Sequence, residues 1–376
     1  MPRAALIWAP EFCNYRLSAS HPLKPERLAA THDLLNACGS FDGENSRLIP
    51  PTPCLEADLL TAHSSEYVDV VRRLSAGERV DSPWHWGLDT SDNPVFPDMY
   101  EASLVYVGAT LAAADLVASG EVDAAFNIAG GLHHAHHDRA AGFCVFNDPA
   151  IAIARLLANH PGGCRIAYID IDAHHGDGVQ EAFYSRRDVL TISLHETGRC
   201  LFPGSGEVDE LGEGDGKGYS VNVPLLPFTD DETYVWAFDQ VVPPAVEHFR
   251  PDFIVAQMGV DTHYRDPLTH FEMTTHGYTR LVKSILDLAG DRNIICVGGG
   301  GYDVDVVARS WTLAYGLMAG LDLPEWMPLS AASEFRGRAL HDPEETGPDA
   351  RPAEARKFAE SVVEAIRETV FPYQGL

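Results

Sequence analysis

The chain has 376 residues, 45% of them hydrophobic and 22% charged, with 55 acidic residues against 27 Lys and Arg and a formal net charge of −28. This is globular composition with ample material for a large core, and so acidic a chain repels phosphate and anionic lipid, which argues against nucleic-acid or membrane-surface partners. Seven scattered cysteines without a C-x-x-C pair suggest neither a disulfide framework nor a thiolate metal site, so a reducing, cytoplasmic setting is expected.

The N-terminal apolar stretch ends by Pro10, too short for a secretory segment, and nothing downstream is expected to approach a membrane span. In chain order the pattern predicts a strand at Ala4–Trp8, helices at Glu26–Cys38 and Met99–Ser119, a strand at Ala124–Ala129 and a helix at Pro149–Asn159. Strands follow at Arg165–Ile171 and Val189–Leu194, a helix at Thr233–Phe249, a strand at Phe253–Met258, a helix at His276–Leu288, a strand at Asn293–Val297 and a helix at Val304–Met318. Such alternation predicts an α/β, doubly wound, mainly parallel sheet flanked by helices. Pro243-Pro244 should interrupt or kink the helix that contains them. Beyond Pro324 the pattern turns irregular; Asp342–Pro352, rich in proline and acids, reads as a surface loop, and a last helix over Ala353–Val370 should pack back on the body. One domain over 1–376 is expected, with a core of about 15–320 and an extension of about 321–376.

Ligands of open α/β sheets bind outside the carboxyl ends of the strands, and five predicted strands run into polar clusters there. They are Gly130-Gly131-Leu132-His133-His134, Asp170 to Gly178, His195-Glu196, Gly259-Val260-Asp261 and Gly298-Gly299-Gly300-Gly301-Tyr302. Alternation along an extended segment turns Asp170, Asp172 and His174 to one side. Converging buried carboxylates and an imidazole need a cation. With Asp261 as a third protein ligand, Asp172 and His174 would form an Asp-His-Asp set with an open position, suited to catalytic Zn²⁺ or Fe²⁺ rather than to Ca²⁺ or Mg²⁺. Asp170 and Asp177 are each placed to hold one imidazole of the His133-His134 pair. His136 and His137 lack such partners and read as surface residues, while His175 and His195 read as structural. The glycine run lacks G-x-G-x-x-G spacing and reads as a close backbone approach that carries Tyr302.

Taken together, Gly130 to Ala135, Gly142-Phe143-Cys144, Asn147-Asp148, Tyr168 to Val179 and Gly298 to Tyr302 resemble the zinc-dependent histone deacetylase family, and within it the bacterial branch called acetoin utilisation proteins. His21 to Arg27 and Asp92-Asn93-Pro94 are similar too, so the resemblance runs from about Tyr15 to Met318. It implies the single-domain arginase–deacetylase fold, with Asp172, His174 and Asp261 as metal ligands, and His133 and His134 as the catalytic imidazoles on Asp170 and Asp177. Tyr302 would polarise the scissile carbonyl. Phe143 and Phe202 would be the walls of an acyl-lysine tunnel, Asp92 its rim carboxylate and Arg27 the arginine of an internal cavity; Gly300 belongs to the substrate-binding glycine turn. A structural K⁺ is implied at the main chain of Asp170, Asp172, His174 and Leu194 with Ser193, and a second one near Phe183, Val189 and Tyr219, where Arg186 is unusual.

The resemblance implies hydrolysis of Nε-acetyl- or acyl-lysine to a carboxylate and free lysine, in proteins, peptides or a small acylated amine. Leu268, where polyamine-selective relatives tend to place an acid, favours a lysine stem; bulky His263-Tyr264-Arg265 should narrow the rim. An acetylpolyamine or other small-amide hydrolase is the alternative, and a non-catalytic acyl-lysine-binding module a third reading. Scarce basic residues argue against a phosphohydrolase.

Overall fold

Among the described residues, eight strands form one sheet: β1 (Ala4–Ile7), β2 (Ser46–Ile49), β3 (Ala124–Asn127), β4 (Ile166–Asp170), β5 (Val189–Glu196), β6 (Ser220–Leu225), β7 (Phe253–Gln257) and β8 (Asn293–Val297), in spatial order β2-β1-β3-β8-β7-β4-β5-β6. The computed structural model describes residues 3–290, 293–332, 335, 339–343 and 352–376. All neighbouring strands are parallel, so their carboxyl ends share one rim, where Asp170 stands level with Ser193 on one side and Gln257 on the other. The inner strands are buried runs such as Ile166–Asp170 and Phe253–Gln257, as a parallel sheet covered on both faces requires.

All six strands predicted from the sequence are present. The two unforeseen ones, β2 and β6, are the edges of the sheet. Ser46-Arg-Leu-Ile is short and partly exposed, and β6 alternates polar residues with valines and contains Pro224, which an edge strand tolerates. Neither offers a continuous apolar run. The predicted helices stand within about two residues of their expected ends, and the last, Pro352–Thr369, packs on β6 and on Asp231–Phe249. A further helix, Ser65–Ser75, begins where Ser64 Oγ accepts from Tyr67 N.

Three expectations are corrected. Asp231–Phe249 runs unbroken through Pro243 and Pro244. The carbonyls those prolines leave without a donor belong to Asp239 and Gln240, outside the buried face, while Val241, Val242, Ala245 and Val246 are buried and hold the helix by packing. Met99–Ala118 is long and apolar enough to cross a membrane, but 61% of its apolar window is buried and it packs on Asp148–Asn159 and on β3. Of the expected surface loop, residues 344–351 lie outside the described residues, and its first residue is buried. Asp342 accepts from Thr275 N and from Arg309, and lies 2.8 Å from His263 Nε2.

Buried His63 ties the rim to its scaffold. Its Nε2 accepts from Asn147 N at 2.9 Å, so the proton sits on Nδ1, which donates to His136 O at 2.9 Å. Protonating Nε2 would set two N–H groups against each other, and burial pushes the imidazole down to about 4. An unfolded histidine titrates near 6.5, so this stabilisation is present above pH 6.5 and lost as pH falls from there to about 4, a change of about 3 kcal/mol. Urea unfolding should show the stability gap between the native chain and His63→Gln closing by about that much over this window; a gap independent of pH would refute the neutral tautomer.

Candidate active site

The rim loop after β3 carries His133 and His134, and it is fastened from below. Asp148 accepts from Gly131 N and Leu132 N, both at 2.9 Å, and from Thr110 Oγ1 at 2.6 Å; burial raises its carboxyl to about 6. Asn147 Nδ2 donates to the carbonyls of His133 and Ala135, and its side chain caps the helix Asp148–Asn159. The fixed loop turns both imidazoles inward. His133 Nδ1 lies 2.7 Å from Asp170 Oδ2, His134 Nδ1 lies 2.7 Å from Asp177 Oδ1, and the two Nε2 atoms are 3.0 Å apart. The expected dyads are therefore both formed.

Their electrostatics differ. Burial disfavours a proton on either ring. At His133 the charges of Asp170 and Asp172 overcome it and lift the imidazole to about 9. His134, beside that cation, falls to about 4 through burial and the charge of His133. Two adjacent imidazoles thus hold one proton more readily than two.

Asp172, His174 and Asp261 meet with their donor atoms within 4.8 Å of one another, and all three residues are buried. Asp172 Oδ2 accepts from Gln257 Nε2 and Gly300 N, both at 2.7 Å, and Oδ1 accepts from His174 N at 2.9 Å; Asp261 Oδ1 accepts from Ala173 N at 2.8 Å. His174 Nδ1 lies 3.0 Å from Asp172 and 2.8 Å from Asp261. Burial opposes charge on His174, yet the two carboxylates raise its pKa well above the usual range; burial and Asp172 raise Asp261 to about 6. An imidazolium leaves this set one negative charge over. A divalent ion with neutral histidine balances it, so the donor set fits such an ion. Gly259 and Gly300 leave room for the acids, since a Cβ on Gly300 would stand 2.1 Å from Asp261 Oδ2.

Around this centre Phe202 meets His134 edge-to-face at 5.0 Å, and Phe143 meets Tyr302 at 5.8 Å. Phe143 holds a left-handed backbone (φ 70°), and its carbonyl accepts from Tyr15 Oη at 2.8 Å. Tyr302 N donates to Asp266, and burial followed by the charges of Asp261 and Asp172 raises the Tyr302 phenol well above its ordinary range. Arg27 is buried, donates to Gly301 O at 2.9 Å and stacks over Trp311. Asp92 is exposed on a loop, its carbonyl 3.2 Å from His21 Nε2, and half-buried Leu268 donates from N to Asp266 at 2.9 Å. Ser193 Oγ lies 2.9 Å from His195 Nδ1, and Leu194 O accepts from Tyr234. Phe183, Val189 and Tyr219 sit at the end of Asp177–Phe183, the start of β5 and just before β6. His175 and His195 are buried, bonded to Ser205 and Gln180 and to Ser193 and Gly206.

Two residues near the centre escaped the sequence reading. Gln257, which holds Asp172, ends an apolar strand and carries no distinctive signal. His136, expected at the surface, is 8% exposed, with Nε2 3.3 Å from Asp177 Oδ2 and Nδ1 on Glu181. The i, i+2 spacing from His134 was its available signal. His137 is exposed, its Nδ1 on Ala62 O.

Residues 21–318 match the histone deacetylase domain family. The chain is 41% identical over 337 residues to acetoin utilization protein AcuC of Bacillus subtilis, covering 87% of this chain and 86% of that one, and 38% identical to AcuC of Staphylococcus xylosus, covering 85% and 83%. Among solved structures, an HDAC homolog from Aquifex aeolicus superposes with a TM-score of 0.86 at 30% identity, covering 96% of this chain and 100% of that one. An HDAC homolog complexed with SAHA gives a TM-score of 0.86 at 31% identity, covering 96% and 99%.

Gly300→Ala should displace the Asp261 carboxylate and empty the Asp-His-Asp set without unfolding the chain. Elemental analysis beside circular dichroism checks this; unchanged metal content would show that the close approach is not needed for binding.

Proposed function

Since the chain belongs to the histone deacetylase family and is a deacetylase by that membership, we propose that it hydrolyses the amide of an Nε-acyl-lysine side chain, acetyl foremost, releasing carboxylate and free amine. The observation that carries this reading is the meeting of the Asp172–His174–Asp261 set with two His–Asp dyads at one rim. Asp172, His174 and Asp261 would hold Zn²⁺ or Fe²⁺, which supplies a Lewis acid for the amide oxygen and makes water more acidic.

The protein's own groups do the rest. Neutral His134 accepts the proton of the attacking water at Nε2, while Asp177 holds its Nδ1–H. His133, held at Nδ1 by Asp170, orients the water. The Tyr302 hydroxyl donates to the carbonyl oxygen as charge develops there. The imidazolium of His134 then gives its proton to the departing lysine nitrogen as the C–N bond breaks. Phe143 and Phe202 hold the flat acyl amide and exclude water. Asp92 accepts a hydrogen bond from the substrate backbone, Leu268 lies along the aliphatic stem and Arg27 offers a cation to the departing carboxylate.

A structural K⁺ belongs to this reading, at the carbonyls of Asp170, Asp172, His174 and Leu194 with Ser193; Leu194 O and Ser193 Oγ each keep a lone pair beyond the bonds described. We extend it to a second ion near Phe183, Val189 and Tyr219. Seven unpaired cysteines support a reducing cytoplasm as the place of work.

The test is a panel of acyl-lysine peptides and acetylated polyamines. Acetyl-lysine peptides should lead in kcat/KM by at least about tenfold, or about 1.4 kcal/mol, and a tenfold lead for polyamines would overturn the lysine assignment. Tyr302→Phe should lower kcat by about 10² to 10³ with metal content and hydroxamate affinity nearly unchanged. Equal losses in binding and turnover would reduce Tyr302 to a wall of the pocket.

A further inference from the structure

Asp177 serves two imidazoles from the same loop. Its Oδ1 takes His134 Nδ1 at 2.7 Å and Gly178 N at 3.0 Å, and its Oδ2 faces His136 Nε2 at 3.3 Å. The other nitrogen of His136 bonds Glu181 Oε2, whose side chain is 49% exposed. His136 itself is held by its main chain, donating from N to Arg139 O and accepting at O from His63 Nδ1, both at 2.9 Å. A line of groups therefore runs from the buried catalytic imidazole to solvent: His134, Asp177, His136, Glu181.

We propose that His136 is a positioning residue for the reaction: clamped between Asp177 and Glu181, it fixes the carboxylate that orients His134.

A neutral imidazole has one donor and one acceptor nitrogen, so a ring with a carboxylate oxygen at each nitrogen is satisfied only when both carry protons. His136 is then a cation between two anions. The groups that face it are Asp177 and Glu181 on the helix Asp177–Phe183, His134 and Arg139 on its own loop, and His63 from the neighbouring turn. Burial opposes its charge, but the bonds to Asp177 and Glu181 lift it to about 9. The consequence is local. With Oδ2 engaged, Asp177 cannot rotate away from His134, and it stays ionised beside a base that must cycle through a charged state. Without His136, a nearly buried carboxylate oxygen loses its partner.

The turnover arm of the test rests on the acyl-lysine reading; the spectroscopic arm needs no substrate. In ¹⁵N NMR of the native holoprotein, the His136 ring should stay doubly protonated through pH 8. In Glu181→Gln, a change at a half-exposed site, its titration should move down into the range of pH 6 to 8, and kcat, but not KM, should acquire a dependence on pH in that same range. His136→Leu should lower kcat about tenfold or more, with KM within about twofold, at the low end of what a misplaced acid–base group costs. It should also shift or broaden the His134 Nδ1 proton resonance, and His136→Gln, which keeps a donor for Asp177, should recover part of both. A His136 ring that is singly protonated at pH 7 in the native protein overturns the proposal, and so does a His136→Leu variant with native kcat and an unmoved His134 resonance. If no acyl-lysine substrate turns over while both NMR signatures appear, the clamp stands and the substrate reading fails.

Discussion

Four carboxylates, those of Asp170, Asp172, Asp177 and Asp261, are withdrawn from water around a single point, and compensating their charge is the constraint on which the rest of the site depends. An isolated carboxylate in such surroundings costs several kcal/mol. The molecule answers differently at each position. Asp170 has Tyr168 Oη at 2.8 Å, the amide of Asp172 and the His133 ring. Asp177 has His134, His136 and the amide of Gly178. Asp172 and Asp261 share the His174 ring, at 3.0 and 2.8 Å from its Nδ1, and it is there that charge is left over and a divalent ion fits. The two chemically identical histidines differ for the same reason: each takes its proton affinity from its neighbours, His133 from Asp170 and Asp172, His134 from Asp177 and from His133 itself.

Such compensation needs groups held to a few tenths of an ångström, and a parallel sheet buried on both faces supplies them. Side chains at its strand ends inherit positions from backbone that is paired on both sides. The loops that leave the rim are then pinned by buried polar residues, Asn147 and Asp148 under the histidine loop and His63 beside it. Phe143, in a left-handed conformation held by Tyr15, extends the same principle to the wall of the slot: a conformation costly for a phenylalanine persists because its carbonyl has a fixed donor.

What was legible in the sequence follows the same physics. The inner strands announced themselves because burial on both faces writes an apolar run, whereas β2 and β6, at the edges, carry the mixed polarity that edges permit. The Asp-His-Asp set and the dyads were legible because charged residues at the end of an apolar strand are hard to explain otherwise. Gln257 was not, since an amide at that place is unremarkable until its partner is seen. His136 was misread because a surface histidine and a histidine clamped between two acids look alike when one acid, Glu181, lies 45 residues away along the chain. Pro243 and Pro244 misled for a related reason: the local rule is sound, but their lost hydrogen bonds fall on the solvent side of a helix held by its other face. Asp342 entered an acidic stretch that reads as loop, and only the fold shows Arg309 and His263 waiting for it.

The glycine run after β8 has its explanation in the geometry of crossing. The strands that deliver the site are contiguous, in the order β3, β8, β7, β4. His133 comes from the β3 side and Asp170 ends β4, three strand spacings apart, or about 14 Å, yet their side chains meet at 2.7 Å. The loop after β3 must therefore pass over the ends of β8 and β7. It does so in contact: Gly299 N donates to Gly130 O at 2.8 Å, and a Cβ on Gly131 would stand 2.5 Å from Gly299 N. Gln257, at the end of β7, lies under the crossing, and a Cβ on Gly299 would stand 2.1 Å from its Nε2. Backbone must lie on backbone here, with no side chain between. The same absence of side chains lets Gly300 N reach Asp172 and brings Tyr302 to the slot. Glycines that look like a nucleotide loop in isolation are thus the clearance through which one strand's histidines reach another strand's acids.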